Sequence, residues 1–262
     1  MNARRLATRR GLTVFWVGLL AGLLGAGTGM ARGQTPPGGA ASGSEARDWI
    51  AKILSARPET GFTNRGVLKH HDPAAGNTSV ALTCTTIPGS GQWRVIYQAG
   101  DTVLTVVHAD GGGNRYTLRQ GKETARDVSG AGTAEAFAGS DFAIGDLGLE
   151  FLHWPGQKLV RKEFHRNCSC VVLESSQTQP APGAATVGYA RVVAWFDEES
   201  LGVVEAEAYD AAGNEIRNFY PKDLQKVNGA YQVGTLVMKN PQTGSRTVME
   251  FNLDGPDASP EK

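Results

Sequence analysis

The chain is short of the residues and patterns from which enzyme active sites are usually built. Its 262 residues hold five His and three Cys, and its formal net charge is zero. No G-x-S-x-G elbow, no H-E-x-x-H pair and no phosphate-cradling loop occurs, and Gly111-Gly112-Gly113 reads as a bare hairpin-like turn. His70 and His71 are adjacent and face opposite ways on a strand, whereas His108, His153 and His165 fall in different elements. His165 ahead of Cys168-x-Cys170 is not a zinc spacing. Asp141, Asp146 and Glu150 resemble paired carboxylates for acid/base work, but Asp141 and Asp146 are more simply turn and cap residues. The expectation is a non-catalytic protein with no metal and no cofactor. An exported hydrolase using the scattered His and Asp is the weakest reading.

Also missing is an apolar run long enough to span a bilayer. Leu12 to Ala26 is uncharged and apolar for roughly 15 residues, against the ~20 that a membrane helix needs. Arg4, Arg5, Arg9 and Arg10 precede it, and Ala31-Arg32-Gly33 follows with small side chains at −3 and −1. Residues 1–33 therefore read as a secretory signal peptide cleaved near Gly33/Gln34, and the mature chain is expected outside the cytoplasm. Thr8-Arg9-Arg10-Gly11-Leu12 leaves Sec and twin-arginine export both open. No Cys lies near the cleavage site for a lipid anchor.

Cleavage would change the charge. The leader carries five Arg and no acid, which leaves 21 Lys+Arg against 26 Asp+Glu. With no basic stripe left, a nucleic-acid partner is not expected. Export permits a disulfide. Cys168 and Cys170 on one strand would sit about 6.5–7 Å apart, too far for an easy bridge, so Cys84 with Cys168 or with Cys170 is the pairing to look for beside the option of none.

What is abundant is β-strand pattern. After a Gly/Pro/Ser-rich linker at 34–43, Ser42-x-x-Glu45 reads as a capping box. Trp49, Ile50, Ile53 and Leu54 then recur at helical spacing, giving a helix from about Ser44 to Ala56, stopped by Pro58. Twelve short segments rich in Val, Thr, Tyr and Trp follow. They are 61–70, 79–87, 92–99, 102–108, 115–120, 158–163, 170–175, 187–197, 203–209, 215–219, 231–239 and 245–253. Hairpin-length links between them, with Gly213 and Gly244 where positive φ is needed, imply an antiparallel meander. In 203–209, Val204, Ala206 and Ala208 face opposite Glu205 and Glu207, while 189–196 is apolar on both faces. Gly121–Gly139 reads as a loop or weakly packed stretch, and Asp146 to His153 as a short helix capped by Asp146 and ended by Pro155. One domain over 44–254 with a disordered tail at 255–262 is expected. So little helix cannot cover a whole sheet face. The sheet must curl, leaving a concave apolar hollow.

Three runs carry a family resemblance: Gly139-Ser140-Asp141-Phe142 through Asp146-Leu147, then Cys170-Val171-Val172-Leu173-Glu174-Ser175, then Tyr189 to Asp197. With Glu205 to Asp210, Pro221-Lys222 and Thr243 to Thr247, they resemble the outer-membrane lipoprotein-sorting proteins related to LolA, over about Thr60 to Leu253. The Cys-x-Cys, Gly121–Gly139 and the loop Gln179–Ala185 depart from that pattern. The resemblance implies a mainly β (α+β) fold: a strongly curved antiparallel sheet, an incomplete barrel with helices over its concave side. It also implies a periplasmic, monomeric chaperone that carries lipid or lipoprotein acyl chains, serving the inner- and outer-membrane lipoprotein machinery. An envelope sensor or protein-docking module on the same fold is the alternative. Because release must occur, the container is expected to be held shut weakly by a movable segment. Phe142, Leu147, Phe151, Leu152 and Trp154 are the candidates for cavity or lid, and Trp93, Trp195 and Phe196 for walls.

Overall fold

The structure, a computed structural model, describes residues 39–177, 188–227 and 230–253. The leader, residues 34–38 of the linker, the Gln179–Ala185 loop and the tail lie outside the described residues. No helix among the described residues is long and apolar enough to cross a membrane.

Among the described residues, one α-helix, α1 (Gly39–Ser55), precedes thirteen strands. They are β1 (Phe62–Asp72), β2 (Gly76–Ile87), β3 (Gln92–Ala99), β4 (Thr102–Ala109), β5 (Arg115–Gln120), β6 (Arg126–Val128), β7 (Gly156–His165), β8 (Cys168–Ser176), β9 (Arg191–Asp197), β10 (Val203–Tyr209), β11 (Glu215–Val227), β12 (Ala230–Lys239) and β13 (Arg246–Asn252). All pair antiparallel in one sheet, ordered β6-β5-β4-β3-β2-β1-β13-β12-β11-β10-β9-β8-β7. The expected class is what is found: a curved antiparallel sheet, not closed into a barrel. β1 joins the two arms of the meander through β13, with Leu68 opposite Met249. Its Gly66 is where a side chain has no room, because a β-carbon would run into the Glu250 carbonyl on β13.

The turns behave as their residues dictate. Gly213 and Gly244 adopt φ +86° and +73° in the β10–β11 and β12–β13 links. The two-residue β7–β8 turn puts Arg166 and Asn167 at φ +46° and +66°, an unusual non-glycine version of a tight hairpin.

Three local expectations change. The helix begins at Gly39, so Gly39–Gly43 belong to it and Ser42 is inside it rather than at its cap. Gly121–Gly139 is not loose: it contains edge strand β6, 3-10 turns at Gly130–Ala134 and Phe137–Gly139, and a Phe137 side chain with no exposed surface. In β10 a bulge between Val203 and Glu205 shifts the pleat, so Val204 packs on the outer face while Ala206 and Ala208 point inward.

Both faces of the β8–β10 region are covered. Leu173, Val192, Ala194 and Phe196 join the main core on the concave side. Cys170, Val172, Val193, Trp195 and Val204 form a second cluster on the convex side. That two-sided burial is what the unbroken apolar run at 189–196 requires. Charged side chains roof the convex cluster. Trp195 Nε1 donates to Glu163 at 2.6 Å, and Glu205 accepts from Arg166 and pairs with His165 at 2.8 and 2.7 Å.

Candidate functional site

The chain leaves the sheet at one edge, β6, and re-enters at the other, β7. Residues 129–155 make that crossing over the concave face. The crossing is built from 3-10 turns at Gly130–Ala134, Phe137–Gly139, Ile144–Gly148 and Glu150–His153. The single α-helix expected at Asp146–His153 is thus two tight turns, split at Leu149, which takes φ +50°. The segment fills the curl. Phe137, Phe142, Ile144, Leu147, Leu149, Phe151 and Leu152 are all buried in the main core, and Phe137 meets the Tyr97 ring edge-on at 6.2 Å. It is a plug.

The plug is held firmly, not weakly as expected for a lid. Asp141 is 5% exposed and accepts from Ser245 Oγ at 2.6 Å and from Thr247 Oγ1 at 3.0 Å, while its own amide donates to Thr247 Oγ1 at 2.8 Å. His70 Nδ1 reaches the same Thr247 oxygen at 2.9 Å and lies 3.3 Å from the Asp141 carboxylate. Arg217 Nε donates to the Asp141 carbonyl at 3.0 Å. Asn114 Nδ2 donates to the Gly148 carbonyl at 2.6 Å, and Tyr116 donates to Glu150 at 2.8 Å. Gln157 Nε2 holds the Phe151 and Trp154 carbonyls at 3.0 and 2.8 Å. Gly148 lies so close to Tyr116 that a β-carbon would run into the phenol oxygen. Such charge-assisted and buried bonds are costly to leave unmade.

Asp146 caps its turn, though from inside it: its carboxylate accepts the Ala143 amide at 2.7 Å and the Tyr189 hydroxyl at 2.8 Å. Burial pushes its pKa up to about 6 despite those bonds, and pushes Tyr189 well above the usual phenol range.

Among the described residues, two hollows lie beside the plug. The first, about 620 Å³, lies between the end of α1, the β3–β4 and β4–β5 ends and the plug, with Ile53, Leu54, Trp93, Leu149, Leu152 and Leu201 as apolar walls. His108, whose ring stacks on Trp93 at 3.9 Å, and His153 are also in its lining. Burial lowers both imidazoles, His108 to about 4, with the neighbouring Asn114 amide pulling the other way. The rings are neutral at pH 7. The second hollow, about 590 Å³, lies across the plug against β9 and β11 and is more polar: Asp146, Glu150, Gln177, Tyr189 and Arg217 share it with Phe151 and Trp154. Both volumes fall in the range of small-molecule sites.

The candidate residues therefore separate. Trp93 and Leu152 line the first hollow, and Phe151 and Trp154 the second. Phe142, Leu147 and Phe196, at 1%, 2% and 0% exposure, are interior packing. Trp195 is not a wall of either hollow, because it points to the convex face. Alternation on a strand already forbids Trp195 and Phe196 from sharing a side. Sequence reasoning missed Phe137, hidden in a Gly/Ala-rich stretch, and the pair His108 and His153, which fold 45 positions apart into one wall. The Cys84 bridge is not formed. All three thiols are free, with Cys84 in the inner core and Cys170 in the convex cluster, so the sheet stands between them. Burial raises the Cys170 thiol to about 12. Among the described residues no group of His, Cys, Asp and Glu is placed to hold a metal ion.

A family model described as "-like: Uncharacterized protein" matches residues 97–255. The chain is similar in structure to a putative outer membrane lipoprotein-sorting protein domain from Vibrio parahaemolyticus, with TM-score 0.64 and 18% identity over 80% of this chain and 91% of that one. A DUF1329 family protein from Desulfovibrio piger gives TM-score 0.63 and 17% identity over the same shares. A LolA superfamily protein from Nitrosomonas europaea gives 0.55 and 16%, over 79% and 91%. No curated protein matches the chain. At such identities the shared property is the fold.

Proposed function

The chain belongs to the family whose model matches residues 97–255 and has the fold of LolA-like lipoprotein-sorting proteins, and from that premise we propose that it is an exported, non-catalytic carrier of lipid or lipoprotein acyl chains, working in the periplasm toward the outer membrane. The observation that carries this reading is the hollow of about 620 Å³ between α1 and the plug, walled by Ile53, Leu54, Trp93, Leu152 and Leu201. Each methylene moved from water into such a space gains ~0.8 kcal/mol, so a hydrocarbon tail too greasy to cross an aqueous compartment alone is stabilised there. α1 is the natural gate: only one of its faces, through Ala46, Ile50 and Ile53, is buried in the core, and it packs on edge strand β7.

Mass spectrometry under native conditions on protein purified without detergent tests this, together with uptake of fluorescent acyl probes in ester and free-acid form. Bound lipid or saturable uptake is expected. Absence of both would defeat the carrier reading.

A second reading is favoured by the plug itself. A curl filled by its own Phe137, Phe142 and Leu147 leaves less room for cargo than an empty one, and that suits a sensor or docking module whose outer surface binds another protein. A stable, defined protein complex with no lipid aboard is its expected signature.

A further inference from the structure

We propose that Cys168 and Cys170, on the convex face, form a two-sulfur site for a soft monovalent metal ion of the copper(I) class. The site stands apart from both hollows and does not depend on the carrier reading. One position separates the two residues on β8, so their side chains leave the same face of the sheet, and both belong to the convex cluster with Val172, Trp195 and Val204. Neither thiol is bridged. A disulfide needs β-carbons about 3.8 Å apart, whereas side chains at this spacing on a strand stand roughly 6.5–7 Å apart. A metal ion in line between the sulfurs closes that gap. With metal–sulfur bonds of about 2.3 Å the sulfurs lie about 4.6 Å from each other, within reach of side-chain rotation alone. Cys170 already leans along the strand toward its neighbour, its Sγ 3.6 Å from the Cys168 carbonyl oxygen.

The surroundings select the ion. Glu163 on β7 and Asp197 on β9 stand opposite Cys170 in the two ladders, but both carboxylates are engaged. Glu163 accepts from Trp195 and Arg161 at 2.6 and 2.7 Å, and Asp197 accepts from the Ser200 amide and hydroxyl at 2.9 and 2.5 Å. His165, opposite Cys168, has its Nε2 tied to Glu205. Among the described residues no three such groups converge as a tetrahedral zinc site requires. Two thiols beside apolar side chains and an indole ring remain, and thiolate sulfur favours copper(I) over hard cations, while a linear ion needs no third donor. Cys170 has no exposed surface; Cys168, half-buried at the start of β8, is the way in. On binding, two S–H bonds break and two S–Cu bonds form, so that two neutral thiols and one copper(I) give a unit of charge −1 and two protons released to water.

The test is an anaerobic titration of the reduced full chain with copper(I) held by the chromogenic chelator bathocuproine disulfonate, with native mass spectrometry for stoichiometry. One copper(I) per chain is expected to pass from chelator to protein, and the copper-edge X-ray absorption spectrum to show two sulfur neighbours. Cys168→Ala should weaken retention by about a hundred-fold or more, since loss of a merely supporting group already costs about 10–100-fold. Cys84→Ala, in the inner core, should leave retention within two-fold. No transfer to the protein, or undiminished retention in Cys168→Ala, overturns the site. So does a Cys168–Cys170 disulfide found by non-reducing mass measurement of the exported protein. Should the Cys168→Ala chain not fold, the absorption spectrum of the unaltered protein decides, and fewer than two sulfurs on the copper overturns the assignment. Acyl-probe uptake is untouched by any of these results, so the metal site and the carrier reading fail separately.

Discussion

The two hollows have nearly the same size and share one wall, yet their chemistry differs. On the α1 side the plug presents Leu149, Leu152 and His153 to an apolar space with neutral rings. On the β9–β11 side it presents Asp146, Glu150, Phe151 and Trp154 to a space that also holds Arg217. Turns of three residues and an αL break at Leu149 allow neighbours in sequence to be shared out between opposite sides in this way. The difference teaches that the plug is a partition: one side faces a largely apolar lining, while the other retains buried ionisable groups whose titration is coupled to how the plug is held.

The largest effect should come from breaking the partition. Phe137→Ala deletes a ring with no exposed surface, and a loss of about 3–5 kcal/mol in denaturant-measured stability is expected. If the stability barely changes, the plug is not part of the folded core.

Next comes the ionisable side. The folded-state pKa of Asp146, about 6, lies above its ordinary value of 3.8. Below pH 3.8 the carboxyl is protonated folded or unfolded and imposes no penalty; as pH rises to 6 the unfolded chain ionises first and stability is lost, by about 2–3 kcal/mol once above 6. Asp146→Asn keeps an acceptor for Ala143 and Tyr189 without the charge. It should raise the melting temperature at pH 7.5 and flatten the stability profile between pH 4 and 6. A variant that is less stable at pH 7.5 would show the ionised carboxylate to be the form the plug needs.

The comparison sharpens with a pair of matched truncations. Trp93→Ala on the α1 side should weaken acyl binding about ten-fold, roughly 1.4 kcal/mol, whereas Trp154→Ala across the plug should leave it within two-fold. Titration with a brominated acyl amide reads both. Equal losses would mean that cargo occupies both hollows or neither.

The smallest effect is on the convex face. Trp195→Phe gives up the hydrogen bond to Glu163 and should cost about 1 kcal/mol of stability with no change in acyl binding. A binding defect in a stable Trp195→Phe protein would move the site to the other side of the sheet.

How far these regions could be read in advance follows from the range of the interactions that make them. β3, β5 and β10 begin and end where the pattern places them, because strand residues and turn residues alternate on a scale of a few positions. β7 and β11 run longer than expected: past Glu163 in β7, and past Phe219 through Pro221 in β11, where bulges let the ladder continue across an irregular stretch. The turns at Ile144–Gly148 and Glu150–His153 read as one α-helix because Leu147, Phe151 and Leu152 recur at helical spacing, and spacing over eight residues cannot separate the two helix types. Phe137 carried no local signal at all. Its burial is set by Tyr97, forty positions earlier, and by the crossing that brings the two together.

Local chemistry thus dictated the strands, the hairpins, the antiparallel meander and the need for the sheet to bend, since backbone propensity, side-chain alternation and glycine turns act between near neighbours. Which face became concave, which aromatic rings were spent on filling it, and which histidines were brought into one wall were decided by tertiary structure alone. Those outcomes depend on packing and hydrogen bonds between the 129–155 crossing and strands far from it in the chain, and no short-range pattern encodes them.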